Sequence, residues 1–198
     1  MSTYHFLLKR IFDVLLAVIG LAALLPLIAV CWTIAAIETR SNGFFIHERV
    51  GRHGVPIRVY KIKTMRATTL ARSPITAHNM AAITQSGRFF RRYKLDELPQ
   101  LFNVVLGNMS FVGPRPDVPS YADRLEGDDR VILLLRPGIT GPASIKYRDE
   151  EELLSKAADP DWYNDHVIWP DKVRINREYF ANYSLLADIK YIFQTISG

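Results

Sequence analysis

Asp96 and Glu97 are adjacent carboxylates, and they are the first acids after a long cationic stretch: from Arg49 to Lys94 the chain has eleven Lys or Arg residues and no Asp or Glu. Cations beside paired carboxylates suit polyphosphate chemistry. The cations hold phosphate oxygens, and the carboxylates hold a divalent metal or react. Pro99 falls in what reads as the first turn of a helix, where its missing N–H is tolerated. The dipole of such a helix favours negative charge, an incoming phosphate included. Taken by itself, Asp96 reads first as a helix N-cap.

A second candidate is Gly113-Pro114-Arg115-Pro116. Gly113 and Arg115 both precede proline and are biased to extended geometry. This sets an arginine on a stiff backbone, which suits bidentate phosphate binding, although a rigid surface turn fits equally. The basic block also has a plainer reading. A lipid-facing surface attracts anionic headgroups at about 1 kcal/mol per cation. No helix-turn-helix, zinc or RNA-binding pattern accompanies it, so nucleic acid is not an expected partner.

Several elements must position these groups. Residues 41 to 64 predict a β-hairpin with its turn at Gly51–Gly54. Residues 67 to 83 read as a loop with at most one short helix. Leu95 to Leu106 has a helical pattern ended by Gly107. Segments 113–119 and 137–142 read as irregular. Helices are predicted over 150–158 and 163–196, the latter broken near Asn182–Ser184. Leu185, Ile189, Ile192 and Ile196 recur at helical spacing, which fits either a core-packing helix or one lying at a membrane interface.

The longest element is apolar. No charged residue occurs from Val14 to Ile37, enough helix to cross the ~30 Å hydrocarbon core. A cleaved signal peptide fits poorly, because Asp13 interrupts its basic flank and the run is too long. A spanning helix and a re-entrant helix that breaks and leaves on the same side remain. Pro26 lies near the middle of the run. Lys9 and Arg10 precede it and Arg40, Arg49 and Arg52 follow it, so both ends are basic and the re-entrant form is favoured. Lys9 and Asp13, four residues apart, can pair on one helix face.

The chain has 198 residues, 48% hydrophobic and 23% charged, which excludes a disordered chain and a multidomain enzyme. Its single cysteine, Cys31, excludes an intramolecular disulfide framework and a Cys-rich zinc site. The net charge of +5 is the remainder of the basic block and twelve acids between Asp117 and Asp165. The expected fold is α+β and mostly helical, with an N-terminal re-entrant membrane helix-break-helix, a short β-hairpin and amphipathic interfacial helices. One membrane-anchored catalytic domain is expected over 1–198, with residues 1–40 as membrane hairpin and 41–198 as cytoplasmic part.

The assembled motifs resemble the bacterial sugar transferase family, the monotopic phosphoglycosyl transferases. They are K-R-x-x-D (Lys9, Arg10, Asp13), an apolar hairpin with proline, Y-K-x-K-x-M, I-T-x-x-G-R-F-x-R, L-D-E-L-P-Q-L-x-N-V, G-x-M-S-x-V-G-P-R-P and P-G-I-T-G. The likeness runs from Lys9 to Gly141 and is most specific from Leu95 to Pro116. Lys63-Thr64 stands where Arg-Ser is common, and Asn108 where aspartate is frequent. After Gly141 the chain departs from the glutamine-bearing version of many members.

The resemblance implies transfer of a sugar-1-phosphate from a UDP-sugar to polyprenyl phosphate on the cytoplasmic face of the bacterial inner membrane. It implies Mg²⁺, a covalent aspartyl intermediate, and UMP as product. Asp96 would be the nucleophile, and Glu97 would help hold Mg²⁺ or assist the incoming polyprenyl phosphate. Lys61, Arg88, Arg91 and Arg115 would hold phosphates, with Tyr121 a further substrate-binding candidate. Implied partners are membrane lipids and downstream glycosyltransferases. Two other readings compete: a non-catalytic basic membrane module, and a glycosyltransferase that releases UDP.

Overall fold

A computed structural model describes residues 3–66 and 82–197. The expected loop over 67–83 lies almost wholly outside these residues. The elements run α1 (Thr3–Thr39), β1 (Phe44–Val50), β2 (Pro56–Ile62), α2 (Gln85–Arg92), α3 (Gln100–Leu106), β3 (Ser110–Val112), β4 (Gly138–Thr140), α4 (Pro142–Lys146), α5 (Glu150–Lys156), α6 (Pro160–Tyr163), α7 (Trp169–Ala181) and α8 (Leu185–Ser197). The chain is mostly helical, with the short antiparallel hairpin β1–β2 at the expected place. Two compact units form. One comprises Met1–Leu15, Glu48–Ile57 and Val104–Gly198, the other Leu16–His47 and Arg58–Asn103.

α1 is a single helix of 37 residues with Pro26 inside it. The expected helix-break-helix is therefore one continuous element. A proline removes one hydrogen bond and crowds the preceding turn, which a long helix absorbs as a local bend without ending. Among the described residues α1 alone is long and apolar enough to cross a bilayer, and only 17% of its most apolar stretch is buried by protein. A soluble core helix would be enclosed on most sides.

In the second unit, Leu21, Leu24, Ile28, Cys31 and Ala35 recur every three or four residues and form one stripe of α1. They pack with Ile62 of β2, Phe90 of α2, and Leu95 and Leu98. The stripe that packs on protein is narrow because the opposite positions, among them Ile19, Val30 and Ile37, are exposed.

In the first unit, Val112, Leu135, Tyr179 and Tyr183 form a core with Phe6, Phe111, Phe180, Tyr191 and Ile192. Lys9 does not take Asp13 as its ion-pair partner. It binds Asp188 of α8 at 2.6 Å, and Asp13 accepts from Phe111 N–H at 3.1 Å. A neighbour four residues away on one helix offers a weak, solvated contact, whereas Asp188 is buried and also accepts from Tyr179 Oη at 2.6 Å.

The segment 137–142, expected to be irregular, contains β4, which pairs in parallel with β3 just before the other such segment. β3 and β4 align Ser110 with Gly138 and Val112 with Thr140. Three-residue strands leave no periodicity to read. Glycine is required at position 138, because a Cβ there would lie 2.2 Å from Gly113 N. The break at Asn182–Ser184 stands as expected, between α7 and α8. α8 turns Asp188, Tyr191 and Ile192 to the core but leaves Leu186, Phe193 and Ile196 exposed.

Candidate active site

The acidic pair lies in the second unit, on a tight 3₁₀ turn, Leu95–Glu97, just before α3. Asp96 is therefore not the N-cap of α3. Lys94 occupies the cap of the turn at φ 55°, in the left-handed region that non-glycine residues rarely enter. The resulting reversal turns Asp96 inward, where it is 9% exposed. Its Oδ1 is buried and has no hydrogen-bond partner among the described residues. Burial, then the adjacent Glu97, raises the Asp96 pKa, against the opposing pull of Lys61, Arg91 and Lys94. An ionised carboxylate with a raised pKa is more basic, hence more nucleophilic, than an ordinary one.

Lys61 comes from β2 and binds Glu97 Oε1 at 2.7 Å, both side chains largely buried. That strand is tied to α3 by Asn103. Its Oδ1 accepts from Tyr60 N–H at 3.0 Å, and its Nδ2 donates to Arg58 O at 2.6 Å. Asn103 is fully buried and fixes Lys61 relative to the turn. It stands within the L-x-N-V part of the sequence motif, where nothing in the local pattern signals a structural amide 43 residues from its partner.

α2 supplies the arginines. Thr84 caps it by accepting from Gly87 N–H at 2.9 Å. Gly87 lies so close to the chain at Thr64 that a Cβ would meet Thr64 O at 2.3 Å. Arg91 donates Nε to Thr64 Oγ1 at 3.0 Å and approaches Met65 Sδ at 3.4 Å. Arg88, one turn earlier, is exposed. Asp96, Glu97, Lys61 and Arg91 are thus gathered in one cluster, with Arg88 on the helix that carries Arg91.

Arg115 and Tyr121 belong to the first unit. Arg115 lies near Arg49 and Asp117. Arg49 is pushed below the usual arginine range by burial and then by Arg115. Burial pushes Asp117 up to about 6, against the pull of Lys172 and Arg115. Tyr121 donates to Asp165 Oδ1 at 2.8 Å, accepts from Asn164 Nδ2 at 3.2 Å and packs edge-on against Trp169. Its hydroxyl already serves a structural network.

Among the described residues no three His, Cys, Asp or Glu side chains gather to make a metal cage. Mg²⁺ does not need one. It keeps several waters and takes one or two carboxylates plus substrate phosphate oxygens. The unpartnered Asp96 Oδ1 beside Glu97 fits that mode.

Residues 4–198 match the profile of the bacterial sugar transferase family. The chain belongs to this family. It is similar to the undecaprenyl-phosphate galactose phosphotransferase of Salmonella typhimurium, with 35% identity covering 83% of this chain and 38% of the relative. An exopolysaccharide production protein of Sinorhizobium fredii is 30% identical over 95% of this chain and 83% of its own length. The UDP-glucose:undecaprenyl-phosphate glucose-1-phosphate transferase of Escherichia coli is 33% identical over 99% of this chain and 41% of its own. The chain thus spans about two fifths of the Salmonella and Escherichia proteins.

Proposed function

We propose that this chain moves a sugar-1-phosphate from a UDP-sugar to undecaprenyl phosphate at the cytoplasmic face of a bacterial inner membrane, and so starts a polysaccharide or other glycoconjugate. The names of the Salmonella and Escherichia relatives support the substrates. The observation that carries the reading is the buried, unpartnered Asp96 Oδ1 beside Glu97 and the Lys61, Arg91 and Lys94 cations.

In this reading an Asp96 oxygen attacks the β-phosphorus of the UDP-sugar. The P–O bond to the bridging oxygen breaks, and that oxygen leaves with UMP. A phosphate oxygen of undecaprenyl phosphate then attacks the same phosphorus and breaks the aspartyl ester. Carboxylate 96 is regenerated and undecaprenyl diphosphosugar is released. Arg88 and Arg91 serve as phosphate ligands, which offsets repulsion between a carboxylate and a diphosphate. Lys61 orients Glu97. Mg²⁺, held by Asp96 and Glu97, would neutralise phosphate charge and polarise the phosphoryl group. A two-stage path lets the soluble and lipid substrates use one site in turn.

The membrane part is re-entrant in this proposal, with α1 turning back at Pro26 on membrane insertion while it stays one helical element. Near its N-terminus α1 is bonded through Lys9 to Asp188 and through Arg10 to Val104 O and Val105 O. At its other end Glu38 accepts from Ser86, and its carbonyl accepts from Arg66. Each end is bonded to polar chain within its own unit; the support for the re-entrant form is that both flanks are basic. A Thr3→Cys label in a Cys31→Ser background should react from the cytoplasmic side only, and periplasmic reaction would sink the re-entrant form. The exposed Leu186, Phe193 and Ile196 suit α8 to the membrane interface.

The deciding experiment incubates the purified protein with Mg²⁺, undecaprenyl phosphate and a panel of UDP-sugars, and identifies the nucleotide released. UMP supports the proposal. UDP would indicate a sugar transferred without its phosphate, and vesicle binding without turnover would indicate a basic membrane module.

A further inference from the structure

Three arginines converge in the first unit around the residues that follow α3. Arg10 of α1 donates Nη1 to Val104 O at 2.6 Å and Nη2 to Val105 O at 3.0 Å. Its guanidinium also lies beside Gly107, where a Cβ would sit 3.3 Å from Nη2. Arg136 donates Nε to Gly107 O at 2.8 Å. Arg52, from the hairpin tip, donates Nε to Leu134 O at 2.8 Å and lies 5.1 Å from the centre of the Phe6 ring on α1. Burial, then Arg10 and Arg52, push Arg136 below the usual arginine pKa, with Asp13 opposing.

The bonding pattern of these cations is unusual. All three donate to backbone carbonyls, and among the described residues none has a carboxylate within ion-pair distance. Arg52 and Arg136 each use only Nε. That bond fixes the plane of the guanidinium and leaves the paired Nη groups, the fork that matches two phosphate oxygens, without a hydrogen bond among the described residues. Asp13, the nearby acid, spends Oδ1 on Phe111 N–H. The cluster carries an excess of positive charge that its own protein contacts do not neutralise.

Its position suggests the counter-charge. Arg10 lies four residues before Val14, where the uncharged run begins. On the same stretch of α1, Leu7, Ile11 and Leu15 are 60%, 49% and 60% exposed. Their spacing of four places them on one face of the helix, leading into the uncharged run. A cationic cradle at the polar edge of a membrane helix, next to an exposed apolar stripe, matches a molecule with a phosphate head and apolar tails.

We propose that Arg10, Arg52 and Arg136 hold the phosphodiester headgroup of an anionic membrane phospholipid, whose acyl chains lie along Leu7, Ile11 and Leu15. Arg52 and Arg136 supply the forks, and Arg10 adds charge while it closes α3. The site offers binding and no phosphoryl chemistry, so this lipid is a resident of the protein and not its substrate. The proposal rests on the membrane placement of α1.

Detergent-purified protein is exchanged into vesicles of phosphatidylcholine with and without phosphatidylglycerol, and retained lipid is counted by native mass spectrometry. Phosphatidylglycerol should be retained about tenfold over phosphatidylcholine, and R52Q/R136Q should cut that preference about fivefold. R52K/R136K, which keeps charge and loses the forks, should fall between. Wild-type protein with a headgroup-photoreactive phosphatidylglycerol should cross-link to peptides containing Arg52 and Arg136, a readout that needs no variant. Cross-links confined to other peptides overturn the site. So does an R52Q/R136Q protein that melts as wild type and retains phosphatidylglycerol unchanged. A loss in that variant of undecaprenyl phosphate binding alone overturns it in favour of a substrate site. Equal competition by inorganic phosphate and phosphatidylglycerol overturns the lipid assignment. Failure of wild-type protein to enter either vesicle would instead count against membrane placement of α1.

Discussion

Asp96 combines two properties that usually oppose each other, burial and charge. Its raised pKa means that the folded protein holds the Asp96 proton more tightly than the unfolded chain does. The associated stability is present below the ordinary carboxylate pKa and is lost as pH rises through the folded value. D96N should therefore melt higher than wild type at pH 8, while turnover falls by about 10³-fold or more. Thermal melts and UMP release on the same samples check both. The acid limb of the rate should also lie above that of an ordinary carboxylate. Lys61 acts in the opposite sense. Its removal in K61Q takes an ion-pair partner from Glu97, whose side chain is 12% exposed. The expected cost is about 2–3 kcal/mol in denaturant unfolding. The acidic pair was legible in the sequence because its members are adjacent and end an acid-free run. Asn103 and the Lys61–Glu97 pair were less so, since their partners lie tens of residues away. Lys9 shows the limit of local spacing: a plausible neighbour at Asp13 loses to a buried one at Asp188.

Elements with a strong period were legible, and those set by contact were not. The hairpin, the helix ended by Gly107 and the pair α7–α8 follow from alternation, turn chemistry and helical spacing. β3 and β4 exist because two glycine-bearing segments approach within a few ångströms, which no local pattern announces. The joint between α1 and α8 is the most exacting of these contacts. D188N leaves Lys9, only 5% exposed, without a carboxylate. It should cost about 3 kcal/mol. Replacing the whole group with K9M, D188L and Y179F should recover most of that loss, because no buried polar atom of the triad is then left unpaired. Urea unfolding in micelles of the wild-type, single and triple variants tests this at the level of the helix pair.

At the scale of the whole chain, the two opposed charge blocks give stability a pH dependence of its own. Asp117, half-buried beside Arg49, Arg115 and Lys172, is pushed up to about 6 by burial. Its contribution is full below the ordinary aspartate pKa and is lost as pH rises through about 6. Relative to D117N, the wild-type protein should lose about 2–3 kcal/mol between pH 4 and 7, a difference measurable by unfolding both proteins across that range. Membrane attachment should respond to salt in a different way. Cationic contacts weaken with screening, but the apolar face of α1 does not, so high salt should reduce vesicle binding without abolishing it.

The bond between Lys9 and Asp188 also sets an order of events during synthesis. The two residues are 179 positions apart. At typical translation speeds Lys9 leaves the ribosome roughly 10–40 s before its partner exists. Through that interval α1 can already be in the bilayer, with the lysine stem reaching to the headgroups for its counter-charge. The joint closes only when α8 emerges, so with α1 in the membrane as proposed, insertion comes first and folding of the first unit is completed afterwards. A ribosome stalled before codon 188 should yield a chain that is membrane-bound, protease-sensitive and inactive.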